Sequence, residues 1–390
     1  MNKPTLFLGT FFVALIIQSL TWRNFEYIDK QMWIDESRYI QTGDAEAFNR
    51  RTAYGHPGGP PVIINMLAHS LLHTSYEHGL AGSLALLNAA AIAACATICY
   101  ILRPQTLWWL AAAGTLTCSR LYPASTPPSA AISPLIVLIF LLALWLYEKA
   151  SQVKGSHILI LGATIGIAAA TRTDITVAVA APLMLLLAPR IGWKKITGTA
   201  VFAAIFFTLG NPFMWIMSPL QQVVDLFWQI QYHIVDYPAT PIGLASVLLI
   251  SPLAIMAIGI AVVMVLQRKK VPSSIPVPYL LTMIVITIGI SIILLNARSQ
   301  APRYFFPFAF LWETFLPLFI LELLPHIRFS FLAHAKDQTK AQHVAAISVV
   351  SIILLGQAIL LIQLYFLPQV IFICPPQGNQ WINCAPNEEM

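Results

Sequence analysis

Apolar runs of roughly 18 or more residues recur along the whole chain, and they limit the fold more than any other feature. Each run is long enough to cross a bilayer core of about 30 Å as a helix. Only 10% of the 390 residues are charged, against about 25% in an ordinary soluble domain. A soluble core cannot bury so many apolar segments. The sequence therefore predicts an all-α, polytopic membrane protein.

The apolar runs predict about eleven transmembrane helices, with a long external loop after the first. One transmembrane domain covers residues 1–367 and includes this loop at 23–79, and a short external tail follows at 368–390. Within the loop, residues 60–74 are apolar but too short to span, which indicates a juxtamembrane helix lying on the bilayer surface. The predicted spans are 5–22, 80–101, 106–121, 131–147, 157–171, 174–188, 196–213, 243–266, 276–296, 304–324 and 344–367.

Lys and Arg residues indicate the orientation of these helices. They concentrate in alternate short connections, such as 194–195 and 268–270, and the positive-inside rule places those connections in the cytoplasm. The N-terminus is then cytoplasmic, whereas the long loop and the C-terminus are external. The net charge of +6 is spread between the helices rather than along one stripe, which argues against a nucleic-acid partner.

Two adjacent carboxylates, Asp35 and Glu36, lie in the long external loop just beyond the first apolar run. A carboxylate at a membrane surface can act as a general base, and the pair can hold a divalent metal ion. On a helix, Arg38 would share a face with Asp35 and could bind a phosphate, with Tyr39 beside it. The sequence predicts a catalytic Asp35–Glu36 pair, and a solvated acidic–basic turn is the alternative interpretation.

Further positions are candidates for the same site. His56 lies in a Gly- and Pro-rich turn before the juxtamembrane helix, level with lipid phosphates. Asp174 lies at the tip of a predicted helical hairpin, for which one tilted helix with a buried stub is the alternative. Glu313 is ionisable near the middle of an apolar helix, where charge is costly, and the candidate phosphate ligands Arg303 and Tyr304 precede that helix. Rigid turns, helix starts and an aromatic belt explain the same residues without a function.

Cys374 and Cys384 bracket the polar, Pro-containing external tail. Two cysteines at such positions predict a disulfide in an oxidising compartment. A bacterial inner membrane with a periplasmic loop fits this interpretation. An endoplasmic reticulum membrane with a lumenal loop is the alternative.

These motifs resemble those of the GT-C superfamily of membrane glycosyltransferases, in particular the protein O-mannosyltransferases and the bacterial aminoarabinose transferases of lipid A. That family has an Asp-Glu pair, often as Asp-Glu-x-Arg-Tyr, after its first helix, matched here by residues 35–39. A Pro-rich turn and a juxtamembrane helix follow, as at 56–72, and a late Arg-Tyr precedes a proline, as at 303–307. The chain departs from the aminoarabinose transferases at the turn, where they have Lys-Pro-Pro and it begins with His56.

The resemblance implies a hexosyl- or pentosyltransferase that takes its sugar from a polyprenyl-phosphate donor and inverts the sugar carbon. Asp35 would be the base for the acceptor, and Arg38 would contact the donor phosphate. The lack of a large soluble module in the sequence favours a glycolipid or cell-envelope glycan as acceptor, reached within membrane lipids. The resemblance assigns no definite cofactor, and a divalent metal ion held by Asp35 and Glu36 is the alternative.

Two other classes of function compete with a transferase. A transporter or flippase for a lipid-linked sugar should have interrupted helices and midplane polar residues in both halves, whereas here the polar groups concentrate on one external side. A non-catalytic membrane scaffold would make the Asp35–Glu36 pair incidental. Sugar transfer from a polyprenyl-phosphate donor separates the three.

Overall fold

The computed structural model describes residues 2–21, 28–43, 58–104, 106–118, 127–216, 252–266, 275–296 and 306–323, besides a few single positions between 220 and 355. Within these ranges the regular elements are helices. The predicted all-α class is confirmed for this part of the chain.

The helices follow the predicted apolar runs and add one in the polar part of the long loop. In chain order they are α1 (Lys3–Thr21), α2 (Ile28–Thr42), α3 (Gly59–Leu72), α4 (Tyr76–Leu102), α5 (Trp108–Cys118), α6 (Pro127–Glu148), α7 (Gly155–Thr171), α8 (Thr173–Ile191), α9 (Trp193–Gly210), α10 (Phe213–Ile216), α11 (Pro252–Leu266), α12 (Val277–Asn296) and α13 (Phe306–Leu323). A 3₁₀ turn, Ala150–Gln152, connects α6 to α7.

Three described helices are long and apolar enough to cross a membrane, namely Tyr76–Leu102, Ala131–Glu148 and Thr173–Ile191. Shorter apolar helices include Lys3–Ser19, Gly155–Thr171, Leu253–Leu266 and Val277–Ser291. The predicted number of about eleven spans is therefore not confirmed. The span predicted at 344–367 lies outside the continuously described ranges, as does the first part of 243–266.

Helix α6 lies at the centre of the main hydrophobic core. Its side chains are buried almost without interruption between Ala131 and Tyr147, and it packs against α4, α7, α8 and α13. A helix that is apolar on all sides is expected to be enclosed by other helices or by lipid. Burial on every face indicates that other helices enclose most of α6.

Helices α7 and α9 approach each other closely because two glycines of α7 face α9. A methyl group added at Gly162 would lie 2.8 Å from the carbonyl oxygen of Thr199, and one at Gly166 would lie 2.5 Å from that of Ala203. Small residues four positions apart allow two helix backbones to pack at this distance. Helices α7 and α9 therefore pack closely along their length.

Contacts between helix ends define a basic rim of the bundle, formed by the ends of α4, α6 and α8 and the connections that lead into α5, α7 and α9. Arg103 and Glu148 form a bidentate ion pair there, at 2.7 and 3.1 Å, which joins the end of α4 to the end of α6. Arg190, in the last turn of α8, donates a hydrogen bond to the hydroxyl of Tyr147 at 3.1 Å. These contacts fit the alternating helix directions that the charge pattern predicts.

The opposite end of the bundle is the loop rim, where α2 and α3 cover the helix ends. The N–H of Gly58 donates to the carbonyl of Thr171 at 3.3 Å, and a methyl group added at Gly59 would lie 1.9 Å from the carbonyl oxygen of Gly210. The start of α3 is thus seated against the ends of α7 and α9. Leu71 and Leu72 of α3 stay exposed, which fits the predicted juxtamembrane helix with an apolar surface toward lipid.

Candidate functional site

Helix α2 carries the predicted catalytic segment, and its buried side explains why a polar sequence is helical here. Trp33 and Ile34 are buried in a hydrophobic cluster that includes Val62 of α3. The helix ends at Gly43, which has a φ of 76° and donates its N–H to the carbonyl of Tyr39 at 2.8 Å. Glycine adopts this left-handed conformation at a helix C-terminus without steric cost.

Asp35 and Arg38 lie on the partly open side of α2. Arg38 Nη1 is 4.0 Å from Asp35 Oδ1, and the two side chains are 42% and 18% exposed. The helical spacing of three residues brings them together, as the sequence predicts. A pair this long and this exposed holds its partners weakly, so the Arg38 guanidinium remains accessible to a stronger anion.

Glu36 points the other way and is fully buried. Neither of its carboxyl oxygens is hydrogen-bonded to any group that the structure describes. Burial raises the pKa of Glu36 well above its ordinary value, and the neighbouring Asp35 carboxylate raises it further. Both effects shift Glu36 toward its neutral form. Because the side chain is fully buried, the interpretation as a solvated turn does not hold for this residue.

Next to Glu36, a polar contact ties α2 to α3. Ser37 Oγ donates to the carbonyl of Trp33 at 2.8 Å and accepts a hydrogen bond from Asn65 Nδ2 at 3.0 Å. Both side chains are fully buried. Because buried polar groups fix the mutual position of the elements that share them, this contact sets the register of α2 on α3.

Arg38 also meets the first residue of α4, Tyr76. The guanidinium carbon is 5.8 Å from the centroid of the Tyr76 ring, within the range of a cation–π contact. The Tyr76 hydroxyl donates to Gln41 Oε1 at 2.9 Å, and Gln41 Nε2 donates to Ser70 Oγ at 2.8 Å. His69 of α3 stacks on the same ring, with the centroids 4.1 Å apart.

Asp174 lies at the junction of α7 and α8, where the chain leaves helical geometry at Arg172 (φ −155°, ψ 104°). Two helices form there, rather than one tilted helix. Arg172 is 2% exposed, and its guanidinium binds both carboxylate oxygens of Asp174 at 3.1 and 3.3 Å. The junction belongs to the loop rim, since Thr171 accepts the hydrogen bond from Gly58.

Contacts through Trp33 connect this junction to α2. A methyl group added at Gly58 would lie 2.3 Å from the Trp33 ring, so the ring packs directly on the turn that binds Thr171. The structure thus brings Asp35, Glu36 and Arg38 into one rim with Asp174. Tyr39 follows on the same helix and is half-buried.

Glu313 is not part of the loop-rim contacts described above. It lies midway along α13 and is buried, and α13 packs extensively against α11, α6 and α5. The remaining candidates, His56, Arg303, Tyr304 and the Cys374–Cys384 pair, lie outside the described residues, and their roles stay predictions.

The metal hypothesis for Asp35 and Glu36 also stays a prediction. In the described ranges, no group of at least three His, Cys, Asp or Glu side chains is placed to hold a metal ion. The fully buried Glu36 faces away from the open side that Asp35 shares with Arg38. The two carboxylates are therefore not arranged on one accessible surface.

Two features of the site were missed by sequence reasoning. The first is the burial of Glu36. Trp33, Ser37 and Ile40 lie on the same side of a helix as Glu36, and this spacing indicates a buried face. The second is Tyr76, the first residue of a long apolar helix, where an aromatic residue is usually attributed to the membrane interface. Its link to Arg38 depends on how α2 packs against α4.

No protein-family model matches the sequence, and no curated protein matches it. The fold is similar to the crystal structure of the Archaeoglobus fulgidus oligosaccharyltransferase in the apo form, with a TM-score of 0.46 and 13% sequence identity. The likeness covers 92% of this chain and 56% of that one, so the chain spans little more than half the length of that protein. A likeness of this size assigns neither a family nor an activity.

Proposed function

We propose that this protein is an integral-membrane glycosyltransferase of GT-C type, which moves a sugar from a polyprenyl-phosphate donor to an external glycolipid or glycan. The observation that carries the proposal is the placement of Asp35 and Arg38 on one partly open side of α2, 4.0 Å apart. A carboxylate and a guanidinium at that distance suit a reaction that needs a base and an anion-binding group around one centre. The Asp-Glu-x-Arg-Tyr resemblance supports the same assignment.

The chemistry follows from the charges of the two groups. The bond between the sugar carbon and the donor phosphate breaks while that carbon bonds to the acceptor oxygen, with inversion. The acceptor proton moves to the Asp35 carboxylate. The polyprenyl phosphate leaves with a second negative charge, which Arg38 stabilises by a charge-assisted hydrogen bond.

Glu36 has a different part in this proposal. Because burial and Asp35 both shift Glu36 toward its neutral form, the pair places less negative charge near the donor phosphate than two ionised carboxylates would. A second carboxylate charge would repel that phosphate.

The orientation of the site toward the periplasm of a bacterial inner membrane belongs to the same proposal and rests on the positive-inside rule.

The test is sugar transfer by membranes that contain the Asp35→Asn variant. Radiolabelled polyprenyl-phosphate hexoses and pentoses are supplied with extracted envelope glycolipid, and label in the glycolipid is counted. Removal of a general base lowers the rate by about 10²–10⁴-fold, whereas Glu77→Gln, an exposed carboxylate at the start of α4, leaves it unchanged. Full activity of a folded Asp35→Asn protein excludes Asp35 as the base. Movement of donor across the membrane without transfer by the wild type favours the transporter class.

A further inference from the structure

Tyr76 contacts two other helices of the loop rim, α2 and α3, through its ring and its hydroxyl. The hydroxyl donates to Gln41 on α2, and Gln41 in turn donates to Ser70 on α3. Arg38 and Gln41 are three residues apart on α2, so both face the start of α4. One tyrosine thus contacts the same face of α2 at two points.

The Tyr76 ring itself is held in place by α3. His69 stacks on it at 4.1 Å with an interplanar angle of 15°. His69 Nδ1 lies 2.7 Å from the carbonyl oxygen of Thr74, and since a carbonyl only accepts, Nδ1 carries the hydrogen. The imidazole is therefore fixed by backbone, and the tyrosine ring is fixed by the imidazole.

The contacts that Arg38 makes with other described residues, in contrast, hold its head group weakly. Its ion pair with Asp35 is 4.0 Å long, and 42% of the side chain is exposed. A free arginine side chain loses rotamer entropy when it binds an anion. A ring that already restricts the guanidinium reduces this loss, and it leaves the N–H groups of the guanidinium able to donate.

We propose that Tyr76 is a positioning residue for Arg38, and that the Tyr76 ring holds the guanidinium where it meets the phosphate of a prenyl-linked ligand. The inference rests on the proposed function, in which Arg38 binds the donor phosphate. It extends that function by assigning phosphate affinity to the start of α4 as well as to α2. His69 and Gln41 act on this affinity through the orientation of Tyr76.

The experiment measures binding rather than transfer, with farnesyl phosphate as the probe and farnesol as the uncharged comparison, on purified full-length protein in detergent. Tyr76→Leu raises the Kd of farnesyl phosphate about two- to fivefold, the effect of a lost exposed cation–π contact. Tyr76→Phe keeps the ring and gives a smaller increase. In an Arg38→Gln background, Tyr76→Leu causes no further increase, because its effect passes through Arg38.

Tyr147→Leu is the matched control and should not change the Kd. The centroid of the Tyr147 ring lies 4.6 Å from the guanidinium carbon of Arg190, on the basic rim. The inference is overturned if Arg38→Gln weakens binding but Tyr76→Leu does not. It is also overturned if Tyr76→Leu weakens binding equally in both backgrounds, as a general packing defect would. If Arg38→Gln binds farnesyl phosphate as the wild type does, the phosphate role of Arg38 fails as well.

Discussion

At the scale of single residues, the Glu36 carboxyl group lies in surroundings that disfavour its charge. It is fully buried, and no described group donates a hydrogen bond to it. An ionised carboxylate without a partner is among the most costly groups to bury. The cost falls on the folded state alone, so it must appear in the dependence of stability on pH.

The sign of this dependence can be predicted. Because the pKa of Glu36 is raised in the folded state, its contribution to stability is fully present below the ordinary glutamate pKa of about 4.3. It is lost as the pH rises through the raised folded pKa. Glu36→Gln stays neutral at every pH, so this variant should melt at a higher temperature than the wild type at pH 8, with the difference vanishing near pH 4. Thermal unfolding in detergent across this range measures it.

Glu77→Gln provides the comparison for this experiment. Glu77 is exposed in the first turn of α4, where a carboxylate stabilises a helix, so Glu77→Gln should not melt higher than the wild type at pH 8. A Glu36→Gln protein that is less stable than the wild type at pH 8 would show that the carboxylate is bound and stabilised when ionised.

At the scale of elements, the position of α3 depends on the contact of its first turn with the end of α9. A methyl group at Gly59 would lie 1.9 Å from the backbone carbonyl oxygen of Gly210, and a backbone atom cannot rotate away as a side chain can. Gly59→Ala should therefore displace α3 and destabilise the protein by about 1–3 kcal/mol. Thermal unfolding of the purified variant in detergent measures this loss.

A second glycine provides the control for this substitution. Gly82, inside α4, has no other atom within 4 Å of an added methyl group, and alanine is favoured over glycine in a helix by roughly 0.5–1 kcal/mol. Gly82→Ala should therefore unfold at the same temperature as the wild type or slightly higher. Equal melting temperatures for Gly59→Ala and Gly82→Ala would mean that α3 is not seated on α9 as described.

The helices themselves could largely be predicted, because an apolar run and its flanking charges are local properties of the sequence. The predicted 131–147 span, for example, lies within α6, and the interruption near residue 172 separates α7 from α8. The exposure of individual residues in the site could not be predicted. Whether Glu36 is buried depends on how α3 and α4 pack on α2, and those helices are distant from it in the sequence. The same packing creates the contact between Arg38 and Tyr76.

At the scale of the whole molecule, the two rims differ in the partners of their charged side chains. On the basic rim, Arg103 is bound to Glu148 and Arg190 to Tyr147, whereas Lys149, Lys154 and Lys194 add positive charge near the same helix ends. On the loop rim, the arginines described lie beside carboxylates, Arg38 with Asp35 and Arg172 with Asp174. Among the described side chains, these three lysines thus add positive charge to the rim that the positive-inside rule places in the cytoplasm.

This arrangement predicts opposite accessibility for two exposed residues, Glu77 on the loop rim and Ser151 on the basic rim. After replacement of the five native cysteines, Glu77→Cys should react with a membrane-impermeant maleimide in sealed right-side-out vesicles. Ser151→Cys should react only after permeabilisation. Reaction of both in sealed vesicles would contradict the separation of the rims, whereas reaction of Ser151→Cys alone would reverse the orientation. In that case the donor and acceptor of the proposed reaction would have to be sought on the cytoplasmic side, because Asp35 and Arg38 lie on the same rim as Glu77.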